Sequence, residues 1–276
     1  MSEYTNLRMA IEDRVAILTI DHPPANAFNR ATITELGAAM DELIANDQVK
    51  VIIITGAGEK GFSAGMDVSD IANIAKGPNG NEIMNAISRS TKPYIAAING
   101  HALGGGCETA IACHFRIMTD NPKALIGLPE VNLGITPGWG GIQRLPRLLG
   151  KPKALDMILF SKRLTPVEAL AIGLVDKVVP AADLMKEATA FAQALAKRPP
   201  LAVADCSASS GSGSPVALTV KVRTTPVVAV RGPGFASNTG ALAAATFTVT
   251  VCVAVPSVLL AVKVKVWTVP PSDSRG

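Results

Sequence analysis

Residues 51–55, VIIIT, are a continuous apolar and β-branched run closed by Gly56. A half-exposed strand alternates in polarity, whereas an unbroken run this short marks a strand covered on both faces. Tyr94–Ile98 (YIAAI), closed by Asn99 and Gly100, is a second such run, and 115–118 is a weaker third. Strands covered twice need helices on both sides. Helical spacing does recur around them: Ile33, Leu36, Met40, Leu43 and Ile44 mark a helix over 32–44. Further helices are expected over 69–75, 82–88, from Gly105 onward, and over 141–148, 152–159, 165–171 and 182–196. Residues 14–20 read as a strand that leads into the Pro-rich loop 21–26. Buried strands alternating with helices predict an α/β layered domain. No internal repeat of fixed period is apparent.

That pattern stops near residue 205. Residues 1–205 carry 20 Lys and Arg against 21 Asp and Glu, while 206–276 carry 6 Lys and Arg and one acid, Asp273. The 67 residues between Asp205 and Asp273 contain no acid, where the preceding density predicts about seven. Val, Ala, Ser and Thr make up 42 of the 71 tail residues. The net charge of +4 therefore sums a near-neutral segment and a basic tail. Six scattered cations with few aromatics give no ground for a nucleic-acid partner. The expected organisation is a core domain over 1–205 and a low-complexity tail over 206–276. Residues 207–214 (SASSGSGS) have linker composition, and 246–255 and 262–266 alternate like strands.

No apolar run reaches the ~18 residues of a membrane span, so no membrane partner is expected. The start shows neither an apolar signal core nor an Arg-rich transit pattern, which points to the cytoplasm. Four Cys without dense spacing fit a reducing compartment.

Several motifs carry a chemical reading and a plainer one. Gly56, Gly58 and Gly61 match a dinucleotide fingerprint as a string, but no helix opens within the motif to present its N–H groups to a pyrophosphate. His101, Cys107, Cys113 and His114 match no common zinc spacing, so no metal is expected, and the thiols read as small core residues. Gly104–Gly106 followed by Glu108 would place a helix N-terminus beyond the strand 94–98, open to a ligand; a tight packing turn with a helix-stabilising acid serves equally. Glu130 precedes the Gly-rich run 134–141, another candidate for close ligand approach, although a lone Glu there also reads as a capping acid. Two carboxyls converging on one pocket would suit general acid–base work on water. Spacing does not show convergence.

Taken together, four segments resemble the enoyl-CoA hydratase (crotonase) family: 61–67 (GFSAGMD), 99–108 (NGHALGGGCE), 128–149 (LPEVNLGITPGWGGIQRLPRLL) and 164–178 (LTPVEALAIGLVDKV). They stand in the family's order and approximate spacing, and the likeness covers about 4–203. The resemblance implies a spiral core of ββα units, an acyl-CoA thioester substrate and a homotrimer or hexamer. It implies no separate cofactor, since coenzyme A is part of the substrate.

Carried over by position, the backbone N–H groups of Ala64 and Gly105 form an oxyanion hole. Ala64, Gly65, Met66 and Asp67 line the CoA and thioester channel, with Ala25 and Ala27 in the adenine–ribose region. Glu108 and Glu130 match the two glutamates of the hydratases, with Glu108 acting as base on the water and Glu130 giving a proton to the α-carbon in a syn addition. The alternatives are another crotonase-family reaction, as enoyl-CoA isomerase or acyl-CoA hydrolase, or a non-catalytic homologue. The pathway stays open between fatty-acid β-oxidation, amino-acid breakdown and aromatic-acid degradation.

From Cys206 the sequence departs from the family's C-terminal helices, which normally cover the acyl pocket and build the trimer. The sudden acid-free composition suggests a shifted reading frame, with a β-rich replacement tail as the rival. Either puts the trimer in doubt.

Overall fold

The computed structural model describes residues 4–58, 61–74, 76 and 79–212, together with the strands at 248–255 and 258–265. The chain divides into two compact units, Met1–Leu218 and Thr219–Gly276.

The first unit is built on a six-stranded sheet in the order β1 (Leu7–Glu12), β2 (Val15–Ile20), β3 (Val51–Gly56), β5 (Tyr94–Ile98), β7 (Phe115–Thr119), β10 (Lys177–Val179). β1 and β2 are antiparallel and the remaining neighbours are parallel. Every residue of β3 and β5 is buried, as their unbroken apolar runs require. Alternate residues serve opposite faces. Ile52 and Ile54 join one core, while Val51 and Ile53 join another with Leu184, Ala188, Ala192 and Ala196 of α8 (Leu184–Ala196). The four-residue spacing places those small side chains on one helix face, which lets α8 lie close on the sheet.

β1 was not evident from the sequence. Its residues alternate between buried or half-buried and exposed, the pattern of an edge strand, and the turn at Asp13 and Arg14 takes positive φ at both.

A second sheet is short: β4 (Gly61–Ser63), β6 (His101–Leu103), β8 (Ile126–Gly127) and β9 (Arg163–Leu164), with β9 antiparallel to β8. Three of the long strands are each followed by a short one: β3 by β4, β5 by β6, β7 by β8. Helical segments come next: α1 (Arg30–Ala45) precedes β3, α2 (Ile71–Ile74) and α3 (Gly80–Ser88) follow β4, and α4 (Gly105–Ala112) follows β6. After β8 come a 3-10 turn at Glu130–Leu133 and the helices α5 (Gly141–Leu149), α6 (Lys151–Leu159) and α7 (Pro166–Ile172). This is the ββα spiral implied by the resemblance.

Ala75, the end of the helix expected over 69–75, lies outside the described residues. The linker expected over 207–214 is corrected over 207–212, while 213 and 214 lie outside the described residues: α9 (Pro200–Ser212) runs through the composition break at 205, and Ser207 is buried. Proline suits the first helical position, and Ala, Cys and Ser continue a helix once it is packed. In the second unit β11 (Thr248–Val255) and β12 (Val258–Lys265) pair antiparallel, from Thr248 with Lys265 to Val255 with Val258.

Candidate active site

The exits of β4, β6 and β8 converge. A cavity of about 180 Å³ lies among them, walled by Ala64 and Met66 after β4, Gly104 and Gly105 after β6, and Pro129 and Glu130 after β8. Glu108, one turn into α4, and Trp139, before α5, complete the buried side.

Glu108 is 2 % exposed. Its Oε1 accepts the N–H groups of Trp139 and Gly141, both at 2.8 Å. Burial pushes its pKa up to about 7; the two N–H donors and the Arg144 cation oppose this, and the Glu130 carboxyl adds to it. Glu130 is 8 % exposed, and burial raises its pKa too. Its Oε2 has no hydrogen-bond partner among the described residues. A Cβ on Gly104 would stand 3.3 Å from Glu130 Oε1, so the absent side chain lets this carboxyl lie against the entrance to α4. The two glutamates therefore converge on one cavity, which sequence spacing could not show. Two acids whose pKa values burial raises, Glu108 further by the neighbouring Glu130 carboxyl, are matched to proton transfer near neutrality.

The donor pair that the resemblance implies, Ala64 and Gly105, is not the pair whose N–H groups are left free. The Ala64 N–H donates to the Ala25 carbonyl at 3.0 Å and is spent. Met66 forms a parallel bridge with Phe28, in which Phe28 N–H donates to Gly65 O (2.8 Å) and Asp67 N–H to Phe28 O (3.0 Å). In such a bridge the central residue's own N–H faces away from its partner. Met66 thus presents the free donor of this loop. Gly105, first residue of α4, has no acceptor within its helix. Gly65 (φ +93°) brings the two together: a Cβ there would lie 2.9 Å from Gly105 N and 2.6 Å from Leu103 O.

The other sequence candidates are not among the residues that line this cavity. Ala25 and Ala27 belong to a loop strapped to β4: Asn26 Nδ2 donates to Ala57 O and Gly61 O, and Ser63 Oγ donates to Asn26 O. His22, with no visible partner in the sequence, meets the Ala27 carbonyl through Nδ1 at 2.6 Å. Asp67 takes the N–H and hydroxyl of Ser69. Gly61 opens a strand rather than a helix, against the dinucleotide string. Cys107 and Cys113 are buried in or beside α4. Among the described residues no three His, Cys, Asp or Glu gather as a metal site would need. A larger cavity, about 430 Å³, lies where β3 and β5 begin, lined by Lys50, Lys92 and Arg198 without a carboxyl; the two carboxyls stand at the smaller one.

Residues 10–219 match the family model for enoyl-CoA hydratase/isomerase. The chain belongs to the enoyl-CoA hydratase/isomerase family. It is 43% identical over 208 residues to a short-chain-enoyl-CoA hydratase of Clostridium acetobutylicum, covering 73% of this chain and 79% of the relative. It is 40% identical over 217 residues to a crotonyl-CoA hydratase of Syntrophomonas wolfei, covering 76% and 83%. A crystal structure of an enoyl-CoA hydratase from Bacillus anthracis superposes with a TM-score of 0.70 at 34% identity, over 74% of this chain and 81% of that one.

Within this hydratase/isomerase chain, sequence reasoning missed Met66 as donor, Trp139 as wall and Arg144 as brace. The Gly-rich run 134–141 did signal close approach, but its N–H groups meet the Glu108 carboxyl. Among the described residues no helix is long and apolar enough to cross a membrane.

Proposed function

We propose that this chain hydrates 2-enoyl-CoA thioesters by syn addition of water. The carrying observation is the convergence of Glu108 and Glu130 on one cavity that also holds the free N–H groups of Met66 and Gly105. The thioester oxygen would take both N–H groups, one at the positive end of α4. A water held between the carboxyls loses a proton to Glu108 as its oxygen bonds to the β-carbon. The π electrons move toward the thioester, and the oxygen charge is met by the two donors. Glu130, entering protonated, gives its proton to the α-carbon. Glu108 leaves protonated and Glu130 ionised, and one proton exchange resets the pair. The base role falls to Glu108 because two N–H donors hold its Oε1 and favour the anion against the rise that burial causes, whereas Glu130 Oε2 has no such donor among the described residues.

Loss of the conjugated thioester absorbance on adding the protein to crotonyl-CoA tests this reading; a folded protein that leaves the absorbance unchanged overturns it. No separate cofactor takes part. Homotrimer formation is part of the same reading, supported by exposed apolar residues on and just beyond α6 and on α7: Leu159, Phe160 and Val167 are 57 %, 73 % and 72 % exposed. The shifted-frame origin of the tail rests on composition, and the nucleotide sequence around codon 205 tests it: a family-like helical continuation in another frame supports it.

A further inference from the structure

We propose that Trp139 closes the acyl end of the cavity and restricts this chain to short 2-enoyl thioesters, of about four to six carbons. This rests on the hydratase reading. The cavity has an open and a closed end. Val68, Leu133 and Ile135 at the rim are 61 %, 63 % and 40 % exposed, while Trp139 is 8 % exposed.

The indole is clamped from several sides. A Cβ on Gly80 would lie 2.3 Å from its Cε2, and one on Gly105 would lie 2.6 Å from its Cζ3, so the ring fills space that only glycine leaves. Phe28 meets it edge-on at 5.4 Å between centroids and 65° between planes. Its main chain is tied as well: the N–H donates to Glu108 Oε1 and the carbonyl accepts from Arg144 Nη1 at 2.7 Å. A ring packed closely against the main chain at Gly80 and Gly105, and pinned at both its peptide groups, resists swinging aside for a longer chain without moving α3, α4 or Glu108.

Volume agrees. The cavity measures roughly 180 Å³. Sites for larger ligands begin near ~300 Å³. Once the thioester and the two reacting carbons are seated, room remains for a small alkyl end only. Because Trp139 also supplies an N–H to the base, the residue that limits length touches the residue that activates water.

The test is a chain-length series of 2-enoyl-CoA thioesters with four, six, eight and ten carbons, on wild type, Trp139→Ala and Trp139→Phe. Wild-type kcat/KM is expected to fall by roughly tenfold or more from four to ten carbons. Trp139→Ala should flatten or invert that ratio, and Trp139→Phe should fall between. A wild type that accepts ten carbons as well as four overturns the inference. So do folded variants, checked by circular dichroism, that keep the wild-type ratio. If no thioester is hydrated at all, the hydratase reading fails instead. Calorimetric binding of butanoyl- and decanoyl-CoA then reads the same ratio without turnover: tighter butanoyl binding that Trp139→Ala abolishes supports the inference, and equal binding overturns it.

Discussion

Glu108 and Arg144 grip opposite sides of one peptide loop. Glu108 Oε1 takes the N–H groups of Trp139 and Gly141, and Arg144 Nη1 donates to the Trp139 carbonyl at 2.7 Å. The same guanidinium ties the loop to α3, through Ser88 Oγ at 2.8 Å and Asn85 Oδ1 at 2.6 Å. Arg144 thus holds in place the donors that hold the base.

Arg144→Lys keeps the charge but loses the planar fork, so the loop and Glu108 drift. A misplacement of about 1 Å costs on the order of 10²-fold in rate, and kcat should fall by roughly 10–100-fold with a smaller change in KM. Arg144→Gln removes the cation that favours ionised Glu108. Its acid limb in kcat/KM should therefore move to higher pH. A Gln variant with the wild-type pH profile would refute this role.

Glu108 is costly to the fold. Its pKa is about 7 when folded against 4.5 for an ordinary Glu, so the folded chain binds more protons between those values. Stability from this group is therefore present below about 4.5, declines as pH rises through the window, and is fully lost above about 7. Glu108→Gln removes the decline, because the amide oxygen can still accept both N–H donors. At about pH 8 the variant should be more stable by on the order of 2–3 kcal/mol, while hydration is abolished. Urea unfolding at about pH 4 and 8 checks both ends. An equal stability difference at the two pH values would show that burial of the charge is not the cause.

The parts legible in the sequence were those set by local pattern. The unbroken runs at β3 and β5 required two-sided burial, and the helices at α1, α5, α6 and α8 follow apolar spacing. Glu108 and Glu130 were found from motifs. What stayed hidden depends on contacts between distant segments. Which N–H of residues 64–66 faces the cavity is fixed by the bridge from Phe28 to Met66, nearly forty residues apart. Trp139 becomes a wall only because Gly80 and Gly105 make room for it. α9 passes the composition break because helix formation there depends on packing, which composition does not report.

Glu130→Gln cannot deliver a proton to the α-carbon, so turnover should fall by orders of magnitude while binding of a saturated acyl-CoA changes little. A further effect tests the coupling. The Glu130 carboxyl raises the Glu108 pKa, and its replacement by a neutral amide should let that pKa fall below about 7. Carbon-13 NMR titration of Glu108 in the variant reads this directly. An unchanged pKa would mean the two carboxyls do not sense each other.

Leu155 and Leu159 project from one face of α6, with Phe160 just beyond its end, and Val167 and Leu170 from one face of α7, all of them exposed. Apolar side chains spaced four and three apart on consecutive helices are the pattern of a packed face, here without a cover among the described residues. Self-association would bury them. Sedimentation of the wild type should give a multiple of the 28.5 kDa chain mass, with three as the smallest closed assembly expected. Phe160→Glu with Val167→Glu places two charges on that face, and desolvating them on association is unfavourable. The double variant should sediment as a monomer with an unchanged far-UV spectrum, since neither residue contributes to the core. A wild type that sediments as a monomer rejects the trimer, and a variant that stays assembled places the contact elsewhere on the surface.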